Sequence, residues 1–295
     1  MIEVNPLKRG TAAVMDRIGV TSLSFAVQRW TLSPFIRVVY YHDVPPAMSA
    51  RFERQLEFLK QSFVPASKAD LDQLLTRGVW THDRPGLIVT FDDGLRSHYE
   101  VVAPILDRLG FQGWFFVPVD LVTLPPAEQP AATSRHGVLH DCDTMRDPRV
   151  FMNEAQLAAL SERHIVGCHT ATHVRLSREL SDSQLHVELN SAKQRLEAIL
   201  GRKVEAFSWV GGEEWAYSET AAKIVANLFE YAFTTNTCIA RPGTSRLNID
   251  RAHVEVSFES SLVRLHLSGM MDLYYRPKRR RLDSRLRPCS PSAVA

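Results

Sequence analysis

Two short polar motifs in this 295-residue chain contain residue types that bind metals and move protons. The first, DDG, places Asp92 beside Asp93, and the second, HTATH, places His169 and His173 four positions apart. Neighbouring carboxylates repel each other unless one is protonated or a cation lies close to them. Two imidazoles and one carboxylate form a common incomplete coordination shell of a catalytic metal, with positions left for water and substrate. Together the two motifs predict a divalent metal site.

Each motif alone has a simpler interpretation. DDG is typical of a turn, in which Asp caps the backbone and Gly94 takes a positive φ. Two histidines four positions apart are common without a metal. Cys168 precedes His169, but alternate side chains of a strand face opposite ways, so Cys168 is predicted to pack in the core. The metal interpretation depends on both motifs following predicted strands.

A third polar position follows the stretch RVVYYHDVPP, residues 37–46. Its apolar and aromatic run predicts a buried strand that ends in His42 and Asp43. A histidine in this position is more often structural than catalytic, so its role depends on what the fold places beside it. Asp43 either orients His42 or caps the turn before Pro45, and the sequence leaves both alternatives open.

Segments typical of strands and helices alternate along the chain and must position these residues. Short apolar runs predict strands at 38–42, 86–91, 113–119, 164–168, 204–210 and 231–235. Apolar residues at spacings of three and four predict helices that include 52–63, 97–109, 154–162, 182–200 and 217–228. Residues 121–151 show no period and are predicted to form a long loop bordering the site. This alternation favours a mainly parallel sheet, open or closed into a barrel, with its chemistry at the carboxyl ends of the strands.

Composition argues against several classes of function. The formal net charge of +2 gives no electrostatic support for nucleic-acid binding. Cys142, Cys168, Cys238 and Cys289 show no CxxC spacing, so neither a disulfide framework nor a cysteine-only zinc site is expected, and a reducing compartment fits. No stretch is long and apolar enough to predict a membrane span, and no secretory signal is expected at the N-terminus.

The two ends of the chain differ from its middle. Residues 1–34 are predicted to form one or two amphipathic helices packed on the domain, with membrane contact as the less favoured alternative. Residues 276–288 carry seven Lys/Arg against one Asp, which predicts a solvated, disordered tail that could attract anionic lipid. We therefore expect an N-terminal helical extension (1–34), a catalytic domain (35–275) and a basic tail (276–295).

The motifs also resemble those of a known family. TFDDG (90–94) and HTATH (169–173) resemble the first two motifs of the polysaccharide deacetylases, the NodB-like carbohydrate esterases, and the resemblance covers most of residues 36–270. It implies a distorted (β/α)7 barrel. It further implies that Asp93, His169 and His173 bind a divalent metal, most commonly Zn²⁺, and that Asp92 is the general base.

The resemblance identifies the general acid less directly. Many members have a late LxH motif, which the last third of this chain lacks: His266 follows Leu265 directly, and His253 has no such leucine. Another branch, which includes poly-N-acetylglucosamine deacetylases, begins with a YHxV strand whose histidine is the acid, and YYHDV (40–44) matches it. The resemblance therefore favours His42 over His253 and His266.

The third motif departs from the family, which has Pro-Tyr-Gly where this chain has Val210, Gly211 and Gly212. The backbone N–H of Gly211 could still bind an oxyanion, because a backbone donor does not depend on the side chain. Arg251 resembles an arginine that buttresses the site in this branch.

The resemblance implies a metal-dependent hydrolase that removes the N-acetyl group from an N-acetylhexosamine during surface-polysaccharide biosynthesis. Two alternatives stay open: hydrolysis of another amide, such as a cyclic imide or ureide, and a catalytically inactive, metal-containing glycan-binding relative. We expect a cytoplasmic enzyme with peripheral contact at the inner membrane face through its basic tail. Its substrate would be an N-acetylated sugar, free in a polymer or linked to a nucleotide or lipid, and no nucleic-acid partner is expected.

Overall fold

The computed structural model describes residues 6–286 and alternates short strands with helices over this range. The strands are β1 (Ile36–Tyr41), β2 (Val64–Pro65), β3 (Gly86–Phe91), β4 (Gly113–Val117), β5 (Ile165–Cys168), β6 (Ala206–Ser208), β7 (Tyr231–Thr234), β8 (Ile239–Ala240), β9 (Ile249–Asp250) and β10 (Ala252–His253). The helices are α1 (Pro6–Arg17), α2 (Val20–Leu32), α3 (Ser49–Lys60), α4 (Lys68–Arg77), α5 (Ala103–Leu109), α6 (Val119–Val122), α7 (Gln129–His136), α8 (Glu154–Leu160), α9 (Asp182–Leu185), α10 (Ala192–Leu200), α11 (Glu219–Leu228), α12 (Ser260–Leu267) and α13 (Met270–Leu286).

The strands form a sheet that is nearly closed into a barrel. β1, β3, β4, β5, β6 and β7 pair in parallel, each with the next. β9 pairs in parallel with β7, and β10 pairs in parallel with β1. Because only Arg251 separates β9 from β10, one short segment joins the last strand to the first. Counted as one strand, this segment completes the distorted seven-stranded barrel that the resemblance implied.

Both faces of the barrel wall are covered. Alternate residues of β1 belong to different apolar clusters: Ile36 and Val38 to one, Val39 and Tyr41 to the other. Strand β3 is buried along its whole length, which explains why its sequence, GLIVTF, is almost continuously apolar. The core therefore fixes the strands along their length, and their carboxyl ends are left to carry polar residues.

The helical predictions are confirmed, and the structure adds two π-helical segments that the sequence did not predict. The helix predicted over 182–200 begins at the cap Ser181 and ends at Gly201, which has a positive φ of 63°. A π-helical segment, His186–Ser191, interrupts it, and a second one, His98–Val102, precedes α5. The interruption shifts the helical register by one residue, which a search for 3.6-residue periodicity does not reveal.

The prediction of a structureless loop over 121–151 is wrong in part, because α7 lies within it. Gln129 stabilises this region: its buried side-chain oxygen accepts hydrogen bonds from the backbone N–H groups of Val150 and Phe151, at 2.7 and 3.1 Å. A side chain that satisfies distant backbone groups leaves no periodic signal in the sequence.

The prediction of a disordered tail is wrong for residues 276–286. They form the second half of α13, where Leu282 and Leu286 are buried and Arg279 donates a hydrogen bond to the carbonyl oxygen of Asn236 at 3.1 Å. Burial of these two leucines, which lie four positions apart on one side of the helix, therefore orders a segment whose charge run predicted disorder. Residues 287–295 lie outside the described residues. No helix within residues 6–286 is long and apolar enough to cross a membrane.

A buried polar cluster holds the N-terminal helices to the barrel and to α13. Arg37 of β1 is fully buried and donates to Asp272 Oδ1 of α13 at 2.6 Å and to Gln28 Oε1 of α2 at 2.9 Å. Gln28 in turn donates to Asp272 Oδ2 at 2.8 Å. The cluster is complete only when all three elements are in place.

We predict that Asp272→Ala lowers the free energy of unfolding by about 3–5 kcal/mol, because it leaves the guanidinium of Arg37 buried without its counter-charge. Urea denaturation followed by circular dichroism measures this loss. The control is Arg9→Ala, which breaks the exposed pair with Glu259 and should cost less than about 1 kcal/mol. Equal losses in the two variants would contradict the role given to the cluster.

Candidate functional site

The polar residues selected from the sequence meet at the carboxyl ends of the barrel strands. His42 follows β1, Asp92 and Asp93 follow β3, and His169 follows β5. These four line one cavity of about 450 Å³, together with His173 and Gly211. Arg251, between β9 and β10, is fully buried beside Asp92. The fold thus brings together every candidate site residue.

Asp93, His169 and His173 form a compact, largely buried group. Asp93 Oδ1 lies 3.1 Å from His173 Nε2 and 3.8 Å from His169 Nε2. One potential ligand atom from each residue lies within 4.8 Å of the others. This spacing is compatible with three ligands around one metal ion.

The hydrogen bonds of the two histidines show which ring nitrogen of each is available to bind a cation. His169 Nδ1 donates to the carbonyl oxygen of Ser208, and His173 Nδ1 donates to that of His136, both at 2.8 Å. A carbonyl oxygen only accepts, so each neutral ring carries its proton on Nδ1 and presents a lone pair from Nε2. Asp93 Oδ1 is also buried without a hydrogen-bond donor. With both rings neutral, three acceptors converge, and a divalent cation fits between them.

Backbone strain accompanies this group. Asp93, Thr170 and His173 have φ values of 79°, 62° and 60°, a region that residues other than glycine rarely occupy. Each such residue costs of order 1–3 kcal/mol and persists only where its surroundings hold it. The sequence motifs predict these positions, but they give no sign of the strain.

Glu188, on the π-helical segment, holds the second motif in place. Its Oε2 accepts from the backbone N–H groups of Ala171 and Thr172 at 2.9 and 3.0 Å, and its Oε1 accepts from Thr172 Oγ1 at 2.8 Å. Sequence reasoning missed Glu188. Its only sign is an acidic residue among the apolar positions of a predicted helix.

Arg251 binds Asp92 through both carboxylate oxygens. The Nη1–Oδ1 and Nη2–Oδ2 distances are 2.7 and 2.8 Å. Burial favours the neutral acid, but the charge of Arg251 outweighs it and lowers the pKa of Asp92. Asp92 is therefore ionised at neutral pH, as a proton acceptor must be.

Glu255 is the partner of His42. Its Oε1 lies 2.6 Å from His42 Nδ1, and the two residues are 213 positions apart. Burial opposes protonation of His42, but the hydrogen bond and charge of Glu255 outweigh it and raise the pKa of His42 to about 9. His42 can therefore carry a proton at neutral pH. Sequence reasoning missed Glu255, whose only signal is its place two residues beyond His253 at the end of β10.

Asp43 does not share this arrangement. Its Oδ1 accepts from Ser97 Oγ at 2.6 Å, and its Oδ2 accepts from the backbone N–H of Asp141 at 2.8 Å. Asp43 therefore joins the end of β1 to two neighbouring segments, and Glu255 is the carboxylate that orients His42.

His253 and His266, the two histidines near the end of the chain, lie further from the cavity than His42. His253 Nε2 is 2.7 Å from Glu255 Oε1, so His253 and His42 share one carboxylate oxygen. These three residues form a second group whose potential ligand atoms lie within 4.8 Å of one another. His266 is on α12, with its ring 6.3 Å from that of His253, and burial lowers its pKa to about 4. The cavity is lined by His42 and by neither late histidine.

Gly211 cannot carry a side chain without rearrangement. Its φ is 77°, and a Cβ there would lie 2.6 Å from Glu213 Oε2 and 2.7 Å from Arg175 Nε. The position therefore presents bare backbone to the cavity. Tyr275 and Lys278 of α13 line the cavity as well.

Comparison with known families identifies the family to which this chain belongs. Residues 81–231, just over half of the chain, match the family model described as polysaccharide deacetylase. The chain belongs to the polysaccharide deacetylase family. The matched segment contains Asp92, Asp93, His169 and His173, whereas His42, Arg251 and Glu255 lie outside it. A search of curated proteins gave no match.

Solved structures share the fold of this polysaccharide deacetylase at low sequence identity. IcaB from Ammonifex degensii is 20% identical with a TM-score of 0.61, and the match covers 80% of this chain and 98% of that one. PplD, a Streptococcus pyogenes deacetylase in complex with acetate, is 18% identical with a TM-score of 0.61, covering 79% and 98%. The deacetylase domain of BpsB from Bordetella bronchiseptica is 17% identical with a TM-score of 0.57, covering 75% and 96%.

For this polysaccharide deacetylase we predict that Glu188→Ala weakens Zn²⁺ binding by about 10- to 100-fold, because the strained HTATH backbone loses the carboxylate that holds it. Isothermal titration calorimetry of the metal-free protein measures the affinity. Glu179→Ala, at an exposed acid close to the same motif, is the matched control and should leave the affinity unchanged. Wild-type affinity in Glu188→Ala would show that the motif holds its shape without this contact.

Proposed function

We propose that this polysaccharide deacetylase is a metal-dependent hydrolase that removes the acetyl group from an N-acetylhexosamine. One observation carries the proposal: three potential ligand atoms, from Asp93, His169 and His173, converge in the same cavity as Asp92, whose pKa is lowered by Arg251, and His42, whose pKa is raised by Glu255. Such a site combines a place for a cation with a base and an acid.

The proposed reaction attacks the acetamide carbonyl with water. A divalent cation bound by Asp93, His169 and His173, most commonly Zn²⁺ in such ligand sets, supplies Lewis acidity that polarises the carbonyl and acidifies water. Asp92 accepts the proton as the oxygen of water bonds to the carbonyl carbon. Its carboxylate keeps free lone pairs for this purpose, since Arg251 uses only one on each oxygen.

The second half of the reaction breaks the carbon–nitrogen bond. An amide anion is a very poor leaving group, so the nitrogen must gain a proton as the bond breaks. We assign this proton to His42, which lines the cavity and is kept charged by Glu255. The backbone N–H at Gly211 is proposed to support the developing oxyanion. The products are acetate and a free amino sugar.

We further propose a substrate from surface-polysaccharide biosynthesis, either a polymer or a precursor linked to a nucleotide or lipid phosphate. Lys278 lines the cavity, which supports an anionic group on the substrate. The three described cysteines are free, which supports a reducing compartment such as the cytoplasm, where the enzyme would contact the inner membrane face. Amine release from a soluble N-acetylglucosamine oligomer and from a diphosphate-linked sugar distinguishes these substrates.

The central prediction concerns three variants. We expect Asp92→Asn to keep its metal and to lose turnover by about 10²–10⁴-fold, because the metal ligands remain while the base is removed. We expect His42→Ala to lose turnover by a similar factor and His266→Ala to stay within about fivefold of wild type. Amine release from an N-acetylglucosamine oligomer, together with metal analysis of each purified variant, measures both effects.

Two results would contradict the assignment. Equal losses in His42→Ala and His266→Ala would remove His42 from the acid role. A wild-type protein that binds metal and oligosaccharide but releases no amine would identify a glycan-binding relative without this activity.

The pH dependence tests the contact between Glu255 and His42. Because the negative charge of Glu255 raises the pKa of His42 to about 9, wild-type activity should fall on the alkaline side only near that pH. Glu255→Gln removes the charge, so the pKa of His42 falls and the alkaline limb shifts to lower pH by about one unit or more. Glu259→Gln, at an exposed acid four positions away, should leave the limb in place. An unshifted limb in Glu255→Gln would exclude His42 as the titrating acid.

A further inference from the structure

The first helix carries an exposed apolar stripe. Leu7, Val14 and Ile18 are 77, 60 and 67% exposed. Their spacings of seven and four residues place them on one side of α1 and the turn that ends it. Soluble proteins commonly expose single apolar side chains, but an aligned set of this size indicates a surface that contacts something.

The second helix repeats this arrangement. Leu23, Val27 and Trp30 are 67, 50 and 87% exposed, and their spacings of four and three residues again define one side of the helix. Trp30 is a large aromatic side chain with almost no protein contact. The two helices therefore form an α1–α2 hairpin (6–32) with an exposed apolar stripe on each helix.

The opposite side of the hairpin is firmly attached, so the stripes are not the result of a loose segment. Gln28 belongs to the buried cluster with Asp272 described above. Asp16 accepts from Arg264 of α12 at 2.7 Å, and Ser24 donates to the carbonyl oxygen of Ser268 at 2.8 Å. These contacts hold the hairpin in an orientation that leaves both stripes in solvent.

The charges beside the stripes indicate an anionic partner. The hairpin carries four basic residues, Lys8, Arg9, Arg17 and Arg29, and one acid, Asp16. Arg9 pairs with Glu259 and Asp16 pairs with Arg264, so an excess of basic charge remains on the hairpin. Basic residues that flank an apolar stripe containing tryptophan are typical of helices that lie in the interface of an anionic membrane. A second copy of the chain would instead bring like charges together.

We propose that the α1–α2 hairpin docks on an anionic lipid bilayer, with Leu7, Val14, Ile18, Leu23, Val27 and Trp30 inserted among the head groups. This surface is separate from the basic residues of α13. The two regions share one helix: Gln28 binds Asp272, and Lys278, which lines the cavity, lies six residues further along α13, about 9 Å at 1.5 Å per residue.

Flotation of the full-length protein with lipid vesicles tests the proposal. Wild type should float with vesicles of phosphatidylethanolamine and phosphatidylglycerol and bind pure phosphatidylcholine at least tenfold more weakly. Leu23→Glu/Trp30→Glu should lose at least tenfold in affinity for the anionic vesicles. Met145→Glu/Val187→Glu, at two exposed apolar residues elsewhere, should bind like wild type. Lys8→Gln and Arg17→Gln should each weaken binding by about fivefold.

Several outcomes would overturn the proposal. These are a wild type that does not float, hairpin variants that float normally, or a loss confined to Arg276→Gln/Arg280→Gln, which would assign the contact to α13. A wild-type dimer that Leu23→Glu/Trp30→Glu converts to a monomer in light scattering would show that a second copy covers the stripes. Unchanged melting temperature and amine release from a soluble oligomer establish that the variants are folded. Vesicle binding is measured without catalysis, so it is independent of the proposed reaction.

Discussion

The ion pair between Arg251 and Asp92 is the interaction on which both the barrel and the site depend. Arg251 lies in the segment that joins the last strand to the first, and its guanidinium also donates to Thr90, Ser208 and the carbonyl oxygen of Thr234, at 2.9, 2.7 and 3.1 Å. One side chain therefore contacts the ends of three strands while it neutralises a buried carboxylate. An unpaired charge at this depth would be strongly destabilising, so closure of the barrel and ionisation of Asp92 are linked.

The same closure gives the proposed acid its charged partner. β10 pairs with β1, and this pairing sets Glu255 beside His42. Asp92 and His42 thus carry opposite charges for the same reason, since each lies beside a buried partner of opposite charge. The proposed metal ligands differ, because His169 and His173 each donate from Nδ1 to a backbone carbonyl oxygen, which leaves Nε2 of both rings facing Asp93.

The sequence predicted the parts of the site that are local and missed those that depend on distant contacts. Asp93, His169 and His173 lie within short motifs after apolar runs, so their spacing predicted both their positions and their proximity. Glu255 and Glu188 act through contacts that exist only after the barrel has formed, and neither stands in a motif. The helix over 276–286 was missed because Leu282 and Leu286 are buried by tertiary packing, while the local composition is that of a solvated tail.

We propose that the cation is bound by Asp93, His169 and His173, which leaves His42 free to transfer a proton. Anomalous diffraction at the zinc edge, on crystals grown with Zn²⁺, locates the ion. We expect one ion at about 2.0–2.2 Å from a carboxylate oxygen of Asp93 and from Nε2 of both histidines, with the contact between His42 and Glu255 retained. An ion held by His42, His253 and Glu255 instead would contradict the proposal, because the proposed acid would then be a metal ligand.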